Sequence, residues 1–187
     1  MSTKVVLCGE EYDVNETYLN LHNKGLTKVP PELKLFTNLE TLDLSHNEFT
    51  ELPKEAFSTL EKLTTLDMYC CKLRTIHEDA FLNLKNLKYL TLNYNEIETL
   101  HENTFVPLSH LLSLQLAGNS YTTLPENIFS PLANLERLYL YRSNLTTLPL
   151  SVTNCTKLKT INYDEHRLYS SLDDRIKVWL TKLHPVL

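Results

Sequence analysis

Between residues 39 and 62 the chain reads LETLDLSHNEFTELPKEAFSTLEK, and its apolar positions follow a fixed plan. Leu39, Leu42 and Leu44 are apolar, Thr41, Asp43 and Ser45 are polar, and Asn47, a Leu-Pro step, Phe57 and Leu60 come after them. The frame LxxLxLxxN opens again at Leu63, Leu87, Leu111 and Leu135, each 24 positions after the last, and at Leu158 after 23. Strict alternation over a few residues predicts a short strand, because successive side chains on a strand point to opposite faces. Leu42 and Leu44 then face inward, while Thr41, Asp43 and Ser45 face outward. Self-similarity at a period of roughly 20–50 residues predicts a solenoid, since each unit buries its apolar face only against its neighbours.

The remaining features fit that plan. Asn47, Asn95 and Asn119 fall where the chain turns after each strand, and a buried amide there can satisfy backbone groups of adjacent turns. Cys71 and Ser143 take the same position in two other repeats. Phe57, Phe81, Phe105 and Phe129 recur at one offset on the return path, as a buried spine would. Pro30, Pro53, Pro125 and Pro149 suit an irregular path that needs few backbone donors. The first repeat, YLNLHNKGLTKVP, is degenerate, with Lys24 in the Asn position. An exposed first strand invites edge-to-edge pairing, so residues 1–16 are expected to form a cap in which VVLC pairs there as a strand. At the other end SSLDDRIKVWLTKL predicts a helix, with Ser171 and Asp174 as a capping box. Leu172, Ile176, Trp179, Leu180 and Leu183 share one face of that helix and would close the core. The expected organisation is one domain, 1–187, with a cap (1–16), about seven repeats (17–168) and a closing helix (169–187).

The repeated frame, over residues 17–172, resembles the leucine-rich repeat family in its 24-residue form. The resemblance implies an α/β solenoid: a horseshoe with a concave parallel β-sheet, an irregular convex side and a C-terminal capping helix. It also implies a non-catalytic module that grips a protein or peptide on the concave face. The repeats are similar to those of variable lymphocyte receptors, Toll-like receptor ectodomains and small leucine-rich proteoglycans. Those relatives usually carry clustered cysteines at both ends. Here Cys8, Cys70, Cys71 and Cys155 show neither disulfide-framework nor zinc-site spacing, and they read as reduced thiols.

Composition removes several classes of function. The net charge of −5, with Lys and Arg dispersed, gives no footprint for nucleic acid. Three scattered glycines make neither a Walker loop nor a dinucleotide fingerprint, and no cofactor is implied. No apolar run is long enough to span a membrane. The run at Val5 to Cys8 is too short for the core of a signal peptide, so the expectation is a cytoplasmic adaptor or effector, with a secreted adhesion or immune-recognition module, or the recognition part of an enzyme-associated protein, as the alternatives. Sequons at Asn15, Asn144 and Asn154 are about as many as chance places in a chain this rich in Asn, Ser and Thr.

Folding the sequence into the repeat grid gives the columns of the concave face. Tyr69, Tyr89 and Tyr94 are expected to gather at its middle, and Arg137, Tyr139, Tyr141 and Arg142 one or two repeats later. Tyr and Arg bury large areas while keeping a polar handle, so these seven are the expected anchors. Asp43 and Asp67, with Glu48 and Glu96, are expected to make the N-terminal part acidic and to select partner charge. Small Ser113, Ala117 and Gly118 would leave a recess between the aromatic groups. Two chemical alternatives rank lower. His46 and Cys70, with Asp43 and Asp67 nearby, form a candidate nucleophilic pair on an open sheet that supplies no oxyanion donors. His77 and His101, each followed by a glutamate, form a candidate metal edge with only two strong ligands. A monomer or a weak end-to-end dimer is expected, because the N-terminal edge is thinly capped.

Overall fold

In the computed structural model, which describes residues 3–183, the chain forms a succession of turns around one continuous apolar core. Residues 1–2 of the expected cap and 184–187 of the expected closing helix lie outside the described residues. The strands in chain order are β1 (Lys4–Leu7), β2 (Glu10–Asp13), β3 (Tyr18–Asn20), β4 (Thr41–Asp43), β5 (Glu51–Leu52), β6 (Thr65–Asp67), β7 (Thr75–Ile76), β8 (Tyr89–Thr91), β9 (Ser113–Gln115), β10 (Arg137–Tyr139) and β11 (Thr160–Asn162). Seven of them, in the order β3-β4-β6-β8-β9-β10-β11, form one parallel sheet. On the convex side β5 and β7 pair in parallel, and the rest of the return path is turns and short 3-10 segments at Pro31–Leu35 and Leu150–Asn154. This is the leucine-rich repeat solenoid that the periodic frame predicts.

Inward leucines and the Phe spine fill the space between the faces. Leu42, Leu66, Leu90, Leu114 and Leu138 are buried on the sheet side, and Phe57, Phe81, Phe105 and Phe129 on the convex side. Phe81 and Phe105 lie nearly parallel, with ring centroids 6.4 Å apart. Buried side chains finish the backbone hydrogen bonding between turns. Asn95 donates from Nδ2 to the carbonyls of Met68 and Leu92, and its Oδ1 accepts from the amides of Cys71 and Leu73. Asn47 does the same two repeats earlier, for Leu21, Leu44, Lys24 and Leu26. At Cys71 a thiol meets the Leu44 carbonyl at 3.1 Å, and at Ser143 a hydroxyl donates to Leu140.

Both ends differ from expectation in detail. The segment containing VVLC does not extend the parallel sheet. It is β1 of an antiparallel hairpin with β2, with Leu7 opposite Glu10. The two loop residues, Cys8 and Gly9, both have positive φ (51° and 82°), as in the primed turns whose twist suits a tight hairpin. A parallel pairing needs a long crossover, which so short a segment cannot supply. At the C-terminus, a short helix α1 (Glu165–Leu168) and a 3-10 turn precede α2 (Asp174–Leu183). Asp173, not Ser171, caps α2. Its Oδ1 accepts from the Arg175 amide, and its carbonyl accepts the first helical bonds. The Ser171 hydroxyl is taken by the carbonyls of Thr146 and Leu168. Leu172, Ile176 and Leu180 are buried, with Trp179 and Leu183 packed beside them, so the apolar face of the helix covers the end of the core.

Candidate functional site

The outward columns of the sheet are set by register. Tyr18, Thr41, Thr65, Tyr89, Ser113, Arg137 and Thr160 are successive ladder partners, and so are Asn20, Asp43, Asp67, Thr91, Gln115, Tyr139 and Asn162. Beyond the strands the chain must turn inward, and one residue per repeat does so in the left-handed region. These are Asn23, His46, Cys70, Tyr94, Gly118 and Arg142, with φ between 53° and 66°. Side chains other than glycine strain this conformation by about 1–2 kcal/mol, least so for Asn. The fold therefore fixes an unusual backbone at every turn, and the sequence mounts His, Cys, Tyr and Arg on it.

His46, Tyr94 and Arg142 of this column make a ladder with His22 and Tyr69 of the column before it. The rings of His22 and His46 are 4.9 Å apart, His46 and Tyr69 5.2 Å, and Tyr69 and Tyr94 5.4 Å. Tyr94 then lies over Gly118, where an added Cβ would come within 2.7 Å of the ring. Its hydroxyl accepts a hydrogen bond of 2.9 Å from the guanidinium of Arg142, two repeats away. In the first column Arg137 reaches across buried Ser113 to within 5.9 Å of the Tyr89 ring, a cation–π contact. The expected recess is thus closed. Ser113, Ala117 and Gly118 are small, and over two of them their neighbours meet, Arg137 and Tyr89 across Ser113 and Tyr94 and Arg142 across Gly118. Tyr89 consequently pairs with Arg137 and does not join Tyr69 and Tyr94. Tyr141 sits beside Tyr94, and its hydroxyl is pushed above the ordinary phenol range by burial and by Tyr94. Tyr139 is half-buried and makes no ring contact among the described residues.

The carboxylates also have local work. Asp43 Oδ1 accepts from the amide and hydroxyl of Ser45, and Asp67 Oδ1 accepts from the Tyr69 amide at 2.8 Å. Asn20 makes the same turn with His22. Burial raises the Asp67 pKa, against the hydrogen bond from Tyr69, and neighbouring Asp43 raises it further. Glu48 and Glu96 add less acidity than the sequence suggests, because Lys72 and Arg74 pair with them at 2.8 Å each.

The lower-ranked chemistry is not assembled. The His46 ring is packed between His22 and Tyr69, and no hydrogen bond joins it to Cys70 or to an aspartate among the described residues. His77 Nδ1 accepts from the Asp79 amide and His101 Nδ1 from the Asn103 amide, so each ring closes its own turn, and of the two candidate glutamates Glu78 lies 3.0 Å from His101 Nδ1. Among the described residues no group of three or more His, Cys, Asp or Glu could hold a metal ion.

Comparison with known proteins agrees with this geometry. The family profile described as leucine rich repeat matches residues 17–73 and 63–121. A solved leucine-rich repeat protein of Leptospira interrogans superposes with a TM-score of 0.62 at 26% identity, over 90% of this chain and 53% of that one. The chain spans about half the length of that protein. Curated proteins give no match.

Proposed function

The chain belongs to the leucine-rich repeat family, a typical protein-binding scaffold that is generally non-catalytic, and on that premise we propose that it grips a protein or peptide on its concave face. The observation that carries this reading is the continuous ladder from His22 through His46, Tyr69 and Tyr94 to Arg142. Three of its members, His46, Tyr94 and Arg142, sit on backbone that glycine or asparagine would occupy with less strain, so packing alone gives no reason for those side chains. Rings already held by their neighbours lose little freedom when a partner covers them, which favours binding. Tyr69, Tyr94, Tyr139 and Tyr141 are the anchors in this reading, with Arg137, Arg142 and Tyr89 beside them.

The protein, immobilised beside a variant carrying Tyr69→Ala, Tyr94→Ala and Tyr139→Ala, is the test. A partner retained by the wild type and lost by the variant, with both melting at similar temperatures, supports the reading. Equal retention by the two would sink it.

We further propose an intracellular adaptor. All four cysteines are free, and burial pushes the Cys71 and Cys155 thiols up to about 11 and about 12, which disfavours the reactive thiolate. Thiol titration of protein taken from its source should find all four reduced, and any disulfide would argue for the secreted alternative.

A further inference from the structure

From β4 to β10 the unpaired charge at the outward strand positions is sorted along the solenoid, and beyond β10 Asp164 is engaged by the Arg142 amide and by Arg167. Asp43 and Asp67 stand side by side on β4 and β6, and Arg137 and Arg142 belong to the sixth repeat. Elsewhere neighbouring charges meet: Glu48 with Lys72, Glu96 with Arg74, Glu136 with Lys159 and Asp164 with Arg167. Among the described residues, none of the ion pairs engages Asp43, Asp67, Arg137 or Arg142. In the two repeats between them the outward positions Thr91, Asn93, Gln115 and Ala117 are uncharged.

Each of the four is held in place with capacity to spare. The aspartates use Oδ1 in their turns, and Oδ2 of each makes no hydrogen bond among the described residues. Arg142 spends one N–H on the Tyr94 hydroxyl, and Arg137 rests against the Tyr89 ring. A guanidinium has five donors in a planar fork that matches a carboxylate, so most of that capacity is left for a partner.

We propose that the occupant of the concave face is an extended peptide segment with its charges split. A lysine or arginine lies over Asp43 and Asp67, an aspartate or glutamate lies over Arg137 and Arg142, and the stretch between them follows the aromatic ladder. The two charged groups are three to four strand spacings apart in the sheet. At about 4.8 Å per spacing that is roughly 14–19 Å, or about four to six residues of extended chain. A wholly acidic segment would meet the aspartates and a wholly basic one the arginines, so the arrangement rejects as well as attracts. This inference rests on the concave-face reading above.

The test is a selection of random linear peptides, about twice the required span in length, on the full chain and on three variants. One variant carries Asp43→Asn and Asp67→Asn, one Arg137→Gln and Arg142→Gln, and one Tyr69→Ala and Tyr94→Ala. Asn preserves the turn at the aspartate positions, as Asn20 does, so the first variant should fold. Peptides enriched on the wild type are expected to carry a basic and an acidic residue about four to six positions apart. The aspartate variant should lose only the basic preference and the arginine variant only the acidic one, each with an affinity loss on the order of tenfold. Peptides that need the tyrosines yet carry no such charge pair would overturn the inference and leave the concave-face reading standing. Peptides indifferent to the tyrosines, or no enrichment at all, would overturn both.

Discussion

Two columns of the solenoid, one on each side of the core, obey the same period and opposite rules. On the convex side Phe57, Phe81, Phe105 and Phe129 repeat a single residue type, each fully enclosed. On the concave side the left-handed column changes at every step, from Asn23 to His46, Cys70, Tyr94, Gly118 and Arg142, while φ stays between 53° and 66°. Packing dictates identity where a side chain has neighbours on all sides. On the open face the backbone is dictated and the residue is not. Gly118 is the exception, because the Tyr94 ring occupies the space that its Cβ would need.

The comparison can be broken first on its convex side. Phe105→Ala should destabilise the protein by about 3–5 kcal/mol, since the stacked spine cannot collapse around the gap, and urea denaturation measures it. Asn95→Ala follows, at roughly 2–4 kcal/mol, because two carbonyls and two amides lose their buried partner. If the loss stayed below that of an exposed asparagine such as Asn127, the amide ladder would be ornamental. The concave side should respond less in stability and more in binding. Gly118→Ala should cost about 1–2 kcal/mol from the backbone alone, and it should displace Tyr94 and weaken its bond to Arg142. A fall in affinity larger than the fall in stability is expected in calorimetry.

The smallest effect concerns Asp67. Its folded pKa is raised, chiefly by burial, so its contribution to stability is present while it is protonated and is lost as pH rises through the raised value. Asp67→Asn keeps the turn and removes the titration. The variant should equal or exceed the wild type at neutral pH, and the advantage should vanish at pH below the ordinary carboxylate range. An advantage that grew on acidification would mean the charge supports the fold.

Much of this was readable from the chain. The column order of both outward rows follows from the 24-residue spacing alone, since a fixed period leaves the register no freedom. The pairings Glu48 with Lys72 and Arg74 with Glu96 lie 24 and 22 positions apart, so the same grid contains the signal that these acids are neutralised. What the grid lacks is side-chain direction. It places Tyr94, Gly118 and Arg142 in one column, but only the torsions of Tyr94 and Arg142 decide that they join across the glycine and leave no recess. The ends failed for another reason. Ser171 matches a capping pattern, but the next-door repeat offers its hydroxyl the Thr146 carbonyl, and the helix starts later on Asp173.

The bond between Tyr94 and Arg142 has a consequence for cooperativity. A stack of repeats behaves as a one-dimensional chain in which each unit feels only its nearest neighbours. This bond skips a unit, linking the fourth repeat to the sixth over the fifth. Opening the fifth repeat alone would strand both ends of the bond, so the three are expected to open as one block. The Arg137 contact with the Tyr89 ring spans the same repeats, so amide exchange in a variant carrying Tyr94→Phe and Arg137→Gln should show that block divided, with the fifth repeat exchanging on its own schedule.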